Sequence, residues 1–231
     1  MVDLYDFLRE LKQNNNRDWF KANKGRYDTL LKTHVGVVQQ LIDRIAAFDP
    51  EIAGLDGKSC IYRIQRDIRF SNDKTPYKSH FGAYMTGFGG RKSPYGGYYL
   101  HIEPDNSLLS GGVWCPDARL LKKLRQDIYC NIEEFTDILE NETFKRLFGG
   151  LEGDMLQRMP DGFPKDCPYE SILKHKYFVV SHEVPESFFH LENWMDEAVE
   201  TYKVLYPFNQ FLNYTVGEFF GKNMINELPS I

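Results

Sequence analysis

The sequence predicts an α+β protein in which a central antiparallel sheet, connected as a meander, is packed with N-terminal, middle and C-terminal helices. Two observations carry this prediction: apolar residues recur every three or four positions near both ends of the chain, and every second position in between. Short Gly-, Pro- and Asn-rich connections favour antiparallel hairpins over βαβ crossovers. We expect one domain over 1–231, with a helical segment 1–50, a strand-rich segment 58–115 and a mainly helical segment 116–231.

The N-terminal segment predicts two helices separated by the turn 14–16. The first is amphipathic, with apolar positions at Leu4, Phe7, Leu8 and Leu11. Asn16 is well suited to cap the second, which we expect to break near Asn23–Gly25, because glycine disfavours a helix interior, and to end at Asp49-Pro50.

Later helices are indicated by capping residues and periodicity. Asp117 is the predicted N-cap of a middle helix, and shorter helices follow it up to Gly149-Gly150. A C-terminal helix is expected from Trp194 through Leu212, interrupted by Pro207. Alternation with a period of two predicts five strands, over 61–70, 81–88, 98–103, 108–114 and 177–184.

Composition excludes several classes of protein. No apolar run is long enough to span a bilayer, and the N-terminus has no basic segment before an apolar stretch, so we expect a mature start and no membrane association. The four cysteines form no CxxC motif, which indicates reduced, mostly buried thiols in a cytoplasmic protein and predicts no metal site. Tyrosine is abundant, and tyrosines beyond the needs of the core often line clefts.

Charge is distributed unevenly along the chain. The net charge is −5, yet residues 61–92 carry +5 and the remainder therefore −10. Such an asymmetry is typical either of an anion-binding site or of a surface that pairs with acidic segments elsewhere in the protein.

One long run resembles a known family. The segment from Tyr62 to Gly82, YRIQRDIRFSNDKTPYKSHFG, is similar to the signature of the family called domain of unknown function 2461. Four further segments resemble it, at 16–20 (NRDWF), 97–104 (GYYLHIEP), 111–116 (GGVWCP) and 176–180 (KYFVV). The resemblance covers nearly the whole chain and implies a single-domain, mostly cytosolic protein. It implies no reaction, cofactor or catalytic residue.

The same run supplies the first candidate site. In the predicted strand 61–70, Arg63, Asp67 and Arg69 share one face, and arginine forks match carboxylate or phosphate groups. With the loop 71–80, the anion-binding candidates are Arg63, Arg66, Arg69, Lys74, Tyr77, Lys78 and His80. The structural alternative is that these cations pair with the surplus acids. Arg66 is a difficulty, because it falls on the apolar face and requires a partner, a sheet edge or a β-bulge.

The second candidate is an acid/base pair. His101 and Glu103 share a face of the strand 98–103, and a carboxylate beside an imidazole shifts its titration across neutral pH. The structural alternative is a cross-strand ladder without chemistry. The paired glycines at 89–90, 96–97 and 111–112 fit no phosphate-binding motif and are typical of turns and bulges. The spacing from His182 to Glu192 does not match HExxH, so no metal is predicted there.

The function favoured by these features is binding of a small phosphate- or carboxylate-bearing molecule at 63–69 and 71–80, with the question of catalysis and cofactor left open. One alternative is nucleic-acid binding through the same patch, with Tyr77, Phe81, Tyr84 and Tyr95 as stacking rings, although the negative net charge opposes it. A further alternative is a non-catalytic interaction module, which predicts a large exposed apolar patch and no pocket.

Overall fold

The computed structural model describes residues 2–221. Within that range the helices are α1 Val2–Gln13, α2 Arg17–Ala22, α3 Lys24–Ile45, α4 Gly57–Cys60, α5 Ala118–Cys130, α6 Ile132–Glu140, α7 Glu142–Phe148, α8 Glu170–Leu173 and α9 Trp194–Phe220. The strands are β1 Phe81–Met85, β2 Gly97–Ile102, β3 Ser107–Val113 and β4 Phe178–Val184. Short 3₁₀ turns lie at Pro50–Ile52, Gly90–Lys92 and Glu186–His190.

The four strands form one antiparallel sheet in the order β1-β2-β3-β4, which confirms the predicted α+β meander. Phe81 pairs with Ile102 and Gly97 pairs with Gly112. Residues 103–106 form a short connection between β2 and β3, whereas residues 86–96, which include a 3₁₀ turn, connect β1 and β2. Strand β4 reaches the edge beside β3 only after α5 to α8.

Predicted capping residues occupy their expected positions. The Asn16 side chain accepts a hydrogen bond from the Trp19 amide at the start of α2, and Asp117 accepts from the first amides of α5. The break near Asn23 is also confirmed, because α2 ends at Ala22 and α3 begins at Lys24.

The predicted strand 61–70 is wrong. The segment from 61 to 80 is irregular and touches its neighbours through isolated bridges, Ile61 to Ala83 and Gln65 to Tyr77. The alternating apolar residues of this segment do not all face the core, since Ile64 is buried but Phe70 is 95% exposed. Asp67 and Asp73 accept hydrogen bonds from backbone amides two residues on, which stabilises turns in place of a ladder.

The predicted interruption at Pro207 is also wrong, because α9 runs through it to Phe220. Pro207 is exposed, whereas Tyr202, Leu205, Phe208 and Leu212 are buried on the opposite side of the helix. Burial of this apolar face outweighs the backbone hydrogen bond that proline cannot make.

Helix α9 covers one face of the sheet. Tyr202 packs edge-on against Tyr98, and the Asn209 amide donates to the carbonyl of Gly97 at 3.0 Å. Because side chains alternate along a strand, Tyr99 and His101 project from the opposite face. No helix among residues 2–221 has the length and apolar character needed to cross a membrane.

Candidate functional site

A cleft of about 690 Å³ lies on the sheet face opposite α9. Its floor is formed by side chains of all four strands, namely Tyr84, Tyr99, Leu108, Ser110, Val179 and Ser181. Its walls come from segments that cross the sheet, with Tyr62, Lys78, His80, Arg91, Tyr95, Trp114, Glu152 and Tyr177. This volume is in the usual range for small-molecule sites.

Lys78 is the cation set deepest in the cleft wall. Its backbone amide donates to the Ile64 carbonyl at 2.8 Å, which fixes the residue in the irregular segment. Burial, and then the charge of Arg63, lower the pKa of the Lys78 ammonium. Its Nζ lies 5.2 Å from the centre of the Tyr62 ring, and no carboxylate among residues 2–221 forms an ion pair with it.

Arg91 is the second cation of the cleft. Its side chain is anchored by a 3.0 Å hydrogen bond to the carbonyl of Ser59, and no acid in the described part of the chain pairs with it. The guanidinium has further N–H donors, so it can also bind a group in the cleft.

Two tyrosine hydroxyls, beside those of Ser110 and Ser181, supply polar atoms to the floor. Tyr84 donates toward the carbonyls of Tyr95 and Gly112, at 2.7 and 2.9 Å. Burial raises the pKa of Tyr84 and Tyr99 well above the ordinary value, so both hydroxyls stay protonated. They act as neutral hydrogen-bonding groups.

At the mouth of the cleft, Trp114 and Tyr177 lie with ring centres 4.3 Å apart, and Trp114 is 63% exposed. The two rings therefore form part of the cleft wall and not of the core. Gly153 has φ +94, and a Cβ at this position would overlap the Tyr177 hydroxyl. Only glycine allows this close approach.

The other predicted anion ligands lie outside the cleft. Arg66 binds Asp73 and Thr75, and Arg69 binds both carboxylate oxygens of Asp67, at 3.0 and 2.7 Å. The remaining members are placed as follows: Lys74 donates to the Ile68 carbonyl, Tyr77 stacks on Phe20 at 4.0 Å, and Arg63 is exposed. We call residues 66–75 the basic loop. Of the seven candidates, only Lys78 and His80 line the cleft.

The predicted pair His101 and Glu103 is in contact, and His80 joins it. His101 Nε2 lies 3.1 Å from Glu103 Oε2, and the His80 and His101 ring centres are 4.3 Å apart. The Tyr99 hydroxyl, from the cleft floor, lies 2.8 Å from His101 Nδ1. We call His80, His101 and Glu103 the histidine–glutamate cluster.

The protonation of this cluster follows from its surroundings. Burial lowers the pKa of His80 to about 4 and lowers that of His101 against the opposing effect of Glu103. Burial acts to raise the pKa of Glu103, but hydrogen bonds from Ser79, His101 and Asn106 leave it lowered. At neutral pH two neutral imidazoles therefore face a carboxylate, an arrangement that can accept a proton or bind a metal ion. The ligand atoms of the three residues lie within 4.8 Å of one another.

Several cleft residues were missed by sequence analysis, notably Arg91, Tyr62 and Tyr177 as neighbours of Lys78. They come from three segments of the chain, and no local spacing connects them. The excess of tyrosine was the one signal that pointed to a cleft, without locating it.

A larger, more open groove of about 1440 Å³ lies between α6, α7 and α9. Its charged side chains are mainly acidic, namely Asp127, Glu133, Glu134, Asp137 and Glu218, with Lys203 as a basic member. This groove has the character of a solvated helix surface, and the perturbed titratable groups described above lie at the cleft.

Comparison with known proteins yields a family and nothing further. The profile of the family described as conserved hypothetical protein (DUF2461) matches residues 3–211. No curated protein matches the chain, and no solved structure matches it either. Because the matched region spans nearly all of its 231 residues, the chain belongs to the DUF2461 family.

Proposed function

We propose that this protein binds a small anionic molecule, carrying a phosphate or carboxylate group, in the cleft. The observation that carries the proposal is Lys78, a half-buried ammonium without a carboxylate partner among residues 2–221. Removing such a charge from water is costly unless a partner compensates it. The Tyr62 ring offers one partial compensation, and a bound anion would complete it.

The remaining cleft residues support a ligand with a flat or apolar body. Arg91 adds a second positive charge and Ser110 and Ser181 add hydroxyl groups. Aromatic rings surround these polar groups, at Tyr62, Trp114 and Tyr177. Ligand sites commonly combine such aromatic walls with a few polar groups that orient the ligand. Glu152 at the rim would repel a ligand of high negative charge, which favours one with a single anionic group.

The same features count against the two alternative functions. Nucleic-acid binding would use Tyr77, Phe81, Tyr84 and Tyr95 as stacking rings, but Tyr77 is stacked on Phe20, and Phe81 and Tyr95 are only 4% exposed. A purely scaffolding surface requires no cleft with an unpaired lysine.

The test is a thermal-shift screen of the purified chain against inorganic phosphate, phosphorylated sugars, nucleoside monophosphates and monocarboxylates. Lys78→Met would be measured beside wild type, with Lys74→Met as the matched control, because Lys74 is exposed and bonds a carbonyl in the basic loop. A ligand at one hundred times its Kd adds about 2.7 kcal/mol to stability.

We expect one ligand class to raise the Tm of wild type and Lys74→Met but not that of Lys78→Met. Without ligand, Lys78→Met should be as stable as wild type or more stable, because the substitution removes an unpaired half-buried charge. The proposal fails if no anion shifts wild type, or if Lys78→Met responds as wild type does.

The cysteines support a cytoplasmic location as part of this proposal. All four are free thiols, with Cys60 and Cys167 buried and Cys115 and Cys130 exposed. The expectation of mostly buried thiols is therefore correct for only two of them. Exposed free thiols persist in a reducing compartment.

A further inference from the structure

We propose that His80, His101 and Glu103 form a binding site for a first-row divalent transition metal ion, with Zn²⁺ as the reference ion. This inference concerns residues distinct from Lys78 and Arg91, and it does not depend on the anion-binding proposal. Among residues 2–221, it is the one group of three His, Cys, Asp or Glu side chains whose ligand atoms converge closely enough to hold an ion.

The sheet brings the three ligands together. His101 and Glu103 are two residues apart, at the end of β2, and project from the same face. Phe81 pairs with Ile102, so His80, which precedes β1, lies beside the end of β2. The potential ligand atoms are all within 4.8 Å of one another, so small side-chain rotations would bring them to the roughly 2 Å metal–ligand distances of a zinc site.

Surrounding groups hold the ligands in place. Ser79 donates to Glu103 Oε1 at 2.5 Å, and the Asn106 amide donates to Oε2 at 3.1 Å. His101 Nδ1 contacts the Tyr99 hydroxyl at 2.8 Å, which leaves Nε2 directed toward Glu103. Metal-binding histidines commonly have their second ring nitrogen fixed by such an oxygen partner.

The donor set determines the class of ion. Two imidazoles and one carboxylate suit Zn²⁺ and its first-row neighbours, whereas Mg²⁺ and Ca²⁺ prefer oxygen ligands alone. Three protein ligands leave a coordination position for water or another molecule, as in catalytic zinc sites. His80 lines the cleft, so an ion bound here would lie at its wall and could polarise a molecule in it.

The competing explanation is a hydrogen-bonded network without an ion, in which His101 Nε2–H donates to Glu103. The two explanations predict different effects of Tyr99→Phe. In a metal site Tyr99 is a positioning residue, and its loss should reduce metal affinity by about 10- to 100-fold. In a network without an ion, no metal affinity exists to be reduced.

The experiment is titration of the metal-free protein with Zn²⁺ by calorimetry and with Co²⁺ by visible absorption, which reports directly on the coordination of the ion. His80→Asn and Glu103→Gln remove one ligand each. His190→Asn is the matched control, because His190 is exposed and lies outside the cluster. The melting curve of each metal-free variant would show whether it folds.

We expect one equivalent of either ion to bind wild type and His190→Asn alike. His80→Asn and Glu103→Gln should each remain folded and reduce the metal affinity by more than about 100-fold, which is the upper limit expected for a positioning residue. The proposal is overturned if wild type binds neither ion stoichiometrically, or if both ligand variants retain wild-type affinity.

Discussion

The basic loop, residues 66–75, and the cleft differ in how their positive charges are compensated. In the basic loop, Arg66 binds Asp73, Arg69 binds Asp67 and Lys74 donates to a carbonyl, so each cation has a partner within the loop. In the cleft, Lys78 is half-buried and has an aromatic ring as its neighbour but no acid among residues 2–221.

The difference separates positive charges that are already compensated from one that is not. An exposed ion pair is close to neutral in energy and leaves nothing for a ligand to complete. A cation removed from water and left without a carboxylate is destabilising, and a ligand can relieve that cost. An uncompensated cation such as Lys78 is therefore a better candidate for anion binding than the paired cations of the basic loop.

The largest effect is expected from a substitution in the floor of the cleft, which we predict to be more sensitive to substitution than the basic loop. Gly112 has φ +110, and a Cβ at this position would overlap the carbonyl oxygen of Phe178 in the neighbouring strand β4. Gly112→Ala should therefore lower the free energy of unfolding by about 3 kcal/mol or more, through backbone strain and overpacking. Denaturant unfolding measures this loss.

The matched control for that substitution is Gly36→Ala. Gly36 is exposed in α3, and a Cβ added there would have no heavy atom within 4 Å, so alanine should stabilise the protein by about 1 kcal/mol. Equal stabilities of Gly112→Ala and wild type would mean that β3 and β4 can move apart, and that the cleft floor is not fixed.

A second effect extends the comparison to His34, another buried titratable group without a polar partner. Both ring nitrogens of His34 are buried without a hydrogen-bond partner, and its ring lies edge-on to Phe81. Burial lowers the pKa of His34 to about 4, from an ordinary 6.5. Between these values the unfolded chain binds more protons than the folded one, so stability falls as the pH falls from 6.5 to 4.

The expected loss from His34 alone is about 3 kcal/mol across this window. Urea unfolding of wild type and His34→Leu at several pH values isolates it, because the other titrating groups are common to both proteins. The stability difference in favour of His34→Leu should grow as the pH falls. Parallel pH profiles for the two proteins would contradict the assignment, and His190→Leu serves as the surface control.

The smallest effect concerns the basic loop itself. Arg69→Ala and Asp67→Asn disrupt an exposed ion pair, so we expect an unchanged Tm and unchanged affinity for any anion that binds in the cleft. Calorimetric titration and melting curves would check both. A marked loss of anion affinity in Arg69→Ala, with Lys78→Met unaffected, would return the site to the basic loop and reverse the comparison.

Much of the fold could be predicted from local signals. Asn16 and Asp117 were identifiable as caps because a cap needs only a side-chain oxygen next to a helical pattern. The predicted strand 61–70 failed because alternation is necessary but not sufficient for a strand, which also requires a partner with a continuous ladder. The interruption at Pro207 failed because packing against the sheet overrode a local preference.

The candidate site was predicted in part. The parity of β2 correctly placed His101 and Glu103 together, since side chains on one strand face recur every two residues. His80 could not be placed beside them, because this depends on the register between β1 and β2. The arginines could not be excluded either, because their partners Asp67 and Asp73 were themselves interpreted as parts of a strand and its following loop.

By itself, the sequence determined the α+β class, the amphipathic helices, the four strands of the sheet and the shared face of His101 and Glu103. These follow from periodicity and capping, which act over a few residues. Only the tertiary structure decided that Lys78 is unpaired, that His80 joins the cluster and that distant tyrosines enclose one cleft. Burial and charge compensation depend on contacts between segments separated by tens of residues, and local sequence patterns do not predict which segments are in contact.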